Sequence, residues 1–342
     1  MSSSYQPPYS VTPKIIHLIA EISEQLGRFA AITQTDNEQN LRLRRLNRIR
    51  TIQGSLAIEG NTLTEAQITA ILEGKRVLAP PKDILEARNA IKAYEQFTQW
   101  QPAKELDLLH AHRTLMAGLI DEAGHYRNGN VGVMNGDKVV HMAPPANRVP
   151  KLMADLFKWL ATTEQHPLIV SSVFHYEFEF IHPFTDGNGR MGRLWQTLML
   201  SQWQPLLGQL PVESMVFAHQ EAYYAALNLS TKQTDSAPFI EFMLEVILET
   251  LVSATTISTP QVAPQVAPQV KALLDLLASS NQPLSRGELQ SRLGLKDRES
   301  FRLSYLQPAL AAGLIEMTLP NKPNSRFQAY QLSTLAKQLV KN

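Results

Sequence analysis

Apolar positions along this chain recur mostly three and four residues apart, the spacing of helices that bury one face. In residues 36–54, Leu46, Ile49 and Ile52 form one stripe with arginines around the rest, and Gly54 predicts the stop. Thr64-Glu65-Ala66-Gln67 has the form of a capping box and predicts a short helix ending near Gly74. Further helical patterns occupy residues 83–100, 105–118, 148–162, 167–181, 188–203 and 237–252. One segment, residues 131–142, has strand character instead, and Asn135-Gly136 within it is a two-residue hairpin signal. The expected architecture is mainly α, with a single β-hairpin.

The pattern breaks at residues 255–269, where a Gln-Val-Ala-Pro period with Pro260, Pro264 and Pro268 forbids a continuous helix and predicts an extended linker. Beyond it, residues 271–342 predict helices over 271–278, 286–293 and 299–312, then strands over 314–318 and 327–332, with Ser285-Arg286-Gly287-Glu288 as a second capping box and Gly294 as a stop. That order resembles a small winged helix-turn-helix. The expected domains are therefore a helical region over 1–100, a core over 101–254, a linker over 255–270 and an appendage over 271–342.

Charge sharpens this division. The whole chain has a formal net charge of +1, but residues 271–342 carry ten Lys or Arg against five acids, which leaves −4 for the remainder. Arg298, Arg302, Lys322 and Arg326 in the appendage suit DNA phosphates, so DNA is one partner the sequence admits. The 342 residues include no cysteine. Disulfides, thiolate metal sites and cysteine nucleophiles are excluded. No apolar run approaches the roughly 18 residues of a membrane span, and residues 1–10 lack the basic and apolar regions of a signal peptide. The expectation is a cytoplasmic protein with no membrane partner. Of the nine histidines, the eight other than His182 show no metal-ligand spacing with other histidines or acids.

The chemistry concentrates in residues 181–195, Ile-His-Pro-Phe-Thr-Asp-Gly-Asn-Gly-Arg-Met-Gly-Arg-Leu-Trp. These residues form a loop between two helical patterns and end at a helix N-terminus. Gly187, Asn188 and Gly189 would aim backbone N–H groups at an anion, the glycines permitting close approach and the helix dipole favouring phosphate. Arg190 and Arg193, three apart, supply fixed charges for further phosphate oxygens. Asp186 is a hard-oxygen ligand of the kind Mg²⁺ takes beside substrate phosphates. His182 is placed to accept a hydroxyl proton near neutral pH.

The ordered set His182-Pro183-Phe184-x-Asp186-Gly187-Asn188-Gly189-Arg190-x-x-Arg193 resembles the signature of the Fic domain family, H-P-F-x-[D/E]-G-N-G-R-x-x-R, at every defined position. The resemblance implies a Fic-type helical fold and transfer of AMP from ATP to a Tyr, Thr or Ser hydroxyl of a target protein, with Mg²⁺ as cofactor. It implies His182 as general base, Asp186 as metal ligand, Gly187, Asn188 and Gly189 as the α-phosphate cradle, and Arg190 and Arg193 on the outer phosphates. Tyr223 and Tyr224 are similar to the family's adenine-contacting segment. Relatives that phosphorylate carry Lys-Arg where this chain has Gly189-Arg190, which argues against kinase chemistry. Gly124-His125-Tyr126-Arg127 and the following hairpin resemble the family's flap, with Val139, Val140, His141 and Met142 as the edge that would align an extended target segment.

Ser55, Glu59 and Gly60 match the inhibitory pattern [S/T]-x-x-x-E-[G/N] of Fic proteins whose brake precedes the core. A bidentate pair between Glu59 and Arg193 would occupy the guanidinium that the ATP γ-phosphate needs. Two other readings stay open: a DNA-binding regulator whose nucleotide site only senses, and removal of AMP from modified targets. Self-modification and homodimer formation are left open as well.

Overall fold

The computed structural model describes residues 5–33, 38–135, 138–258, 268–280, 282–295, 297–311, 313–319, 325, 327–333 and 336. The chain divides into two compact units, Met1–Ser258 and Thr259–Asn342. In the first, helices follow one another as α1 (Pro13–Thr33), α2 (Glu38–Ile58), α3 (Glu65–Leu72), α4 (Pro81–Gln96) and α5 (Glu105–Leu115). A hairpin of β1 (Gly132–Asn135) and β2 (Lys138–Met142) comes next. It is followed by α6 (Val149–Thr162), α7 (Pro167–Ile181), α8 (Asn188–Trp203), α9 (Val212–Ala218), α10 (Gln220–Gln233) and α11 (Ala237–Ser258). Residues 1–100 and 101–254, read separately from sequence, share one core.

The centre of that core is α7. Every residue from Leu168 to Phe178 is buried, with Leu168, Val173, Phe174, His175 and Phe178 wholly so, and a helix buried on all its faces is enclosed by its neighbours. It packs along α8, whose Met191, Leu194, Trp195 and Leu198 are equally buried, so the connection between these two helices is held on rigid elements at both ends. Outside them, α1 lies along α11. Neither α1 nor the short α9 and α10 stood out in the sequence pattern.

Two local expectations are corrected. Gly54 does not end α2, which continues to Ile58. A Cβ at Gly54 would lie 2.6 Å from the backbone nitrogen of Ser214, so the glycine is there because α9 comes too close for a side chain. The stop is Gly60, with φ +86°. In the hairpin Asn135 pairs with Lys138. The two-residue connection is thus shifted by one from the Asn135-Gly136 pair, and residues 136–137 lie outside the described residues. The capping box at Thr64 forms as expected, Thr64 Oγ1 accepting from Gln67 N–H.

The second unit has its own core of Leu273, Leu277, Leu289, Phe301, Ile315 and Tyr330. Its helices are α12 (Pro268–Ala278), α13 (Arg286–Arg292), α14 (Arg298–Phe301) and α15 (Gln307–Ala311), the last two joined by a π turn over Arg302–Leu306. Three antiparallel strands, β3 (Leu284–Ser285), β4 (Ile315–Met317) and β5 (Ala329–Leu332), are ordered β3-β5-β4. β3 is an addition to the two strands read from sequence. Ser285 caps α13 through the second capping box. Of the basic residues put toward DNA, Lys322, Arg326 and the side chain of Arg298 lie outside the described residues, and Arg302 pairs with Glu299.

Candidate active site between α7 and α8

His182 caps the C-terminus of α7 in the left-handed conformation, φ 51° and ψ 61°. A side chain with a Cβ adopts this only at a cost on the order of 1–3 kcal/mol, which the surroundings must offset. Arg127 does so. It is buried, its Nε donates to His182 O (2.8 Å), its Nη1 to Gly129 O (2.8 Å) and its Nη2 to Pro144 O (2.6 Å), and its own N–H donates to Pro183 O (2.9 Å). One guanidinium therefore ties the loop after α7 to the segments that flank the hairpin.

The loop itself is clamped from within. Asn188 Oδ1 accepts from Phe184 N–H and its Nδ2 donates to Phe184 O, both at 2.9 Å. The Asn188 side chain thus holds the loop shut, and only its backbone is left for a phosphate cradle. Phe184 stacks on His112 of α5, rings 3.6 Å apart and nearly parallel. His112 Nδ1 accepts from Gly124 N–H (2.9 Å), which fixes Nε2 as the donor to Asp186 O (3.0 Å). Burial pushes His112 down to about 4, so it stays a neutral strut. At Gly187 φ is +85° and a Cβ would lie 2.6 Å from Met116 Sδ, so any side chain there strains the backbone and has to displace the end of Met116.

Both arginines of α8 are buried. Arg190 Nη1 donates to Glu86 Oε1 and its Nη2 to Asp186 Oδ1, each at 3.1 Å. Glu86, on α4, also accepts from Asn61 Nδ2 (2.8 Å). Arg193 Nη2 meets Glu59 Oε1 at 2.6 Å and Ser55 O at 3.0 Å, and its Nε faces Ser55 Oγ at 3.3 Å. The pairing expected to be bidentate is instead one carboxylate oxygen plus two contacts from Ser55. Burial lowers the Arg193 pKa, but Glu59, then Tyr223 and Glu179, outweigh it and hold the guanidinium charged. A Cβ on Gly189 would sit 2.5 Å from Glu59 Oε1, so the carboxylate lies directly over the glycine loop.

The two tyrosines expected toward adenine lie in different surroundings. Tyr223 is 1% exposed, its hydroxyl on His175 Nε2 at 3.1 Å, and it belongs to the core. Tyr224 is half-buried near Glu59 and bonded to Gln220, which in turn donates to Ile58 O (2.9 Å) at the end of α2. In the hairpin Val133 lies opposite His141 and Gly132 opposite Met142, with a register irregularity between Val133 and Met134. The side chains of Val139, Val140 and His141 lie outside the described residues, while Met142 is exposed.

The structure thus brings His182, Asp186, Gly187, Gly189, Arg190, Arg193, Ser55 and Glu59 around one loop. Sequence reasoning missed Glu86, His112, Arg127 and Glu179. Of these, only Arg127 had a local signal, as the end of Gly124-His125-Tyr126-Arg127. Among the described residues no cluster of three or more His, Asp or Glu forms a metal site. Asp186, half exposed, fits a divalent cation only as one carboxylate beside substrate phosphates.

A solved structure of a Fic family protein from Desulfovibrio desulfuricans G20 is 52% identical to this chain, covers 96% of it and 99% of itself, and superimposes with a TM-score of 0.72. The chain belongs to the Fic family. Residues 102–200 of this Fic protein match the Fic/DOC family model, and residues 268–333 match the model described as "Filamentation induced by cAMP protein Fic-like, C-terminal domain". Protein adenylyltransferase Fic of Nematostella vectensis is 32% identical over 204 residues, 56% of this chain and 45% of that protein. Protein adenylyltransferase Fic of Aedes aegypti is 28% identical over 248 residues, 67% of this chain and 46% of that protein. The chain spans less than half the length of these two relatives.

Proposed function

We propose that this Fic chain is a protein adenylyltransferase that moves AMP from ATP to a hydroxyl of a target protein and is held inactive by Glu59. One observation carries the reading: the imidazole at the end of α7 and both arginines at the start of α8 converge on one glycine loop, with Glu59 seated on Arg193. The curated relatives named protein adenylyltransferase agree with it.

In the reaction His182 takes the proton of the target hydroxyl. The hydroxyl oxygen then bonds to the α-phosphorus as the bond to pyrophosphate breaks, and pyrophosphate leaves. Gly187, Gly189 and the backbone of Asn188 cradle the α-phosphate at the α8 N-terminus. Arg190, oriented by Glu86, and Arg193 hold the outer phosphates. Asp186 and the phosphates would hold Mg²⁺, which supplies charge neutralisation at the leaving group. Positioning and charge account for most of the acceleration, and the base contributes about 10²–10⁴-fold. While Arg193 is on Glu59 it is withheld from the γ-phosphate, so ATP binds without its productive grip.

The test supplies wild type and Glu59→Gly with α-labelled and γ-labelled ATP in turn, and maps the label by mass spectrometry. AMP transfer gives label from the α-phosphate alone, stronger in Glu59→Gly and absent in Glu59→Gly/His182→Ala. Label from the γ-phosphate would mean phosphorylation, and equal labelling with and without Glu59 would remove the brake. Glu59 over Gly189 is also placed to hold water against AMP on a modified hydroxyl, so AMP release from pre-modified target by wild type, lost in Glu59→Gly, would mark the reverse activity.

A further inference from the structure

On the last turn of α7, three residues before His182, Glu179 turns its carboxylate inward. Its Oε2 is 3.9 Å from His182 Nδ1 and its Oε1 is 3.9 Å from His175 Nε2. Only one of these imidazoles can answer it. Gln196 Nε2 donates to Ser172 Oγ, which points Gln196 Oε1 at His175 Nδ1 (2.6 Å) and makes that nitrogen the donor. His175 Nε2 is then an acceptor and takes the Tyr223 hydroxyl at 3.1 Å. His175 is wholly buried, is pushed down to about 3, and so has no proton to offer Glu179. Glu179 Oε1 is buried with no hydrogen-bond partner among the described residues. Burying an acceptor in this state is costly unless a partner reaches it in another state of the site.

We propose that Glu179 is a positioning residue for His182: its carboxylate receives the Nδ1 proton of the imidazole, so that Nε2 faces the target hydroxyl as the base. The left-handed turn at His182 makes this contact feasible, because it holds the ring close to its own helix's last turn, where Glu179 lies. A 3.9 Å gap is closed by a side-chain torsion or bridged by one water, and such contacts tighten when substrate binds. The assignment rests on the AMP-transfer reading of this site.

The surroundings link Glu179 to the brake. Groups facing its carboxyl are His175 on its own helix, His182 in the loop, Arg193 on α8, Glu59 at the end of α2, and Tyr223 and Tyr224 on α10. Burial raises the carboxyl to about 7, with Arg193 opposing and Glu59 adding to the rise. When Glu59 withdraws, the ionised carboxylate is favoured. The same glutamate therefore withholds Arg193 from ATP and weakens the group behind the base.

The experiment follows the His182 imidazole by NMR in full-length ¹³C-histidine-labelled protein without nucleotide, comparing Glu59→Gly with Glu59→Gly/Glu179→Gln. Loss of the carboxylate should lower the imidazole pKa by about one unit. In the same pair, kcat for AMP transfer should fall about tenfold or more, with KM for ATP within about twofold and the acidic limb of the pH–rate profile displaced downward. An unchanged His182 titration overturns the proposal whether or not transfer occurs. So does a loss confined to KM, which would leave Glu179 only a scaffold. A coupled titration in protein that transfers no AMP would sink the adenylyltransferase reading and leave the Glu179–His182 contact standing. Glu179→Ala repeats the measurement if the glutamine variant fails to fold.

Discussion

At the scale of single residues, Gly187 is left-handed, and a Cβ added there would lie 2.6 Å from Met116 Sδ. Gly187→Ala should cost about 1–3 kcal/mol from backbone conformation alone, read as a lower denaturant midpoint with the slope unchanged. Glu179 makes a pH prediction with a defined sign. Its carboxyl is raised from 4.5 to about 7, so the folded state holds the proton more tightly than the unfolded chain. Stability from this group is present at low pH, falls as pH rises from about 4.5 to about 7, and is level above, a loss on the order of 3 kcal/mol. Glu179→Gln should remove that slope. Its melting temperature relative to wild type should therefore climb between pH 5 and pH 8, and parallel curves would show that the carboxyl is not held protonated. These two residues also mark how far sequence reasoning reaches. Gly187 was legible as part of a motif, whereas Glu179 reads as one more acid on a helix until the fold turns His182 back toward it.

Among the elements, α2 is the one that reaches Arg193 from a distant part of the chain, and it runs past its sequence-predicted end. Its final turn carries Ser55 and Glu59 to Arg193, and the continuation past Gly54 is what gets them there. In an exposed helix a glycine-to-alanine change gains up to about 1 kcal/mol. At Gly54 the added methyl would meet backbone atoms of Glu213 and Ser214, which cannot rotate away. The clash wins, and Gly54→Ala should destabilise the protein by about 1–3 kcal/mol. It should also displace the end of α2 and raise α-phosphate labelling, measured beside Glu59→Gly. Stability lost with no gain in labelling would separate the packing of α2 from the brake. Asn61, just past the same turn, reaches Arg190 through Glu86. Glu86→Gln should weaken ATP binding severalfold and lower the melting temperature. The reason is the loss of a buried charge partner for Arg190 while a side chain of the same shape stays in place.

Over the whole molecule, two separate hydrophobic cores set an expectation about truncation. Every residue of the site described here falls within Met1–Ser258, and the second unit packs around its own apolar cluster. A chain ending at Ser258 should unfold in a single cooperative transition and, with Glu59→Gly, should keep α-phosphate labelling within a few fold of full length. Loss of labelling in folded truncated protein would assign the second unit a part in catalysis. Long-range ties inside the first unit support this expectation. Tyr5 donates to the buried Glu177 at 2.7 Å, and Pro8 O accepts from Ser236 N–H at 3.0 Å, so the segment before α1 is fixed to α7 and to the start of α11.

The amino-acid sequence alone determined the helical character, both capping boxes, the hairpin and the order of chemical groups from His182 to Arg193. All of these depend on neighbours within a few residues, through backbone hydrogen bonds, side-chain period and turn geometry. Tertiary structure decided which groups meet. Glu59 lies 134 residues from Arg193 along the chain, Glu86 lies 104 from Arg190, and His112 lies 74 from Asp186. It also decided that Tyr223 is core, that the Asn188 side chain is a clamp and that Gly54 is a packing residue. No local pattern encodes such contacts, because the energy that selects them is the burial of α7 and α8 among helices distant in sequence. The charge and protonation of each group follow from that burial.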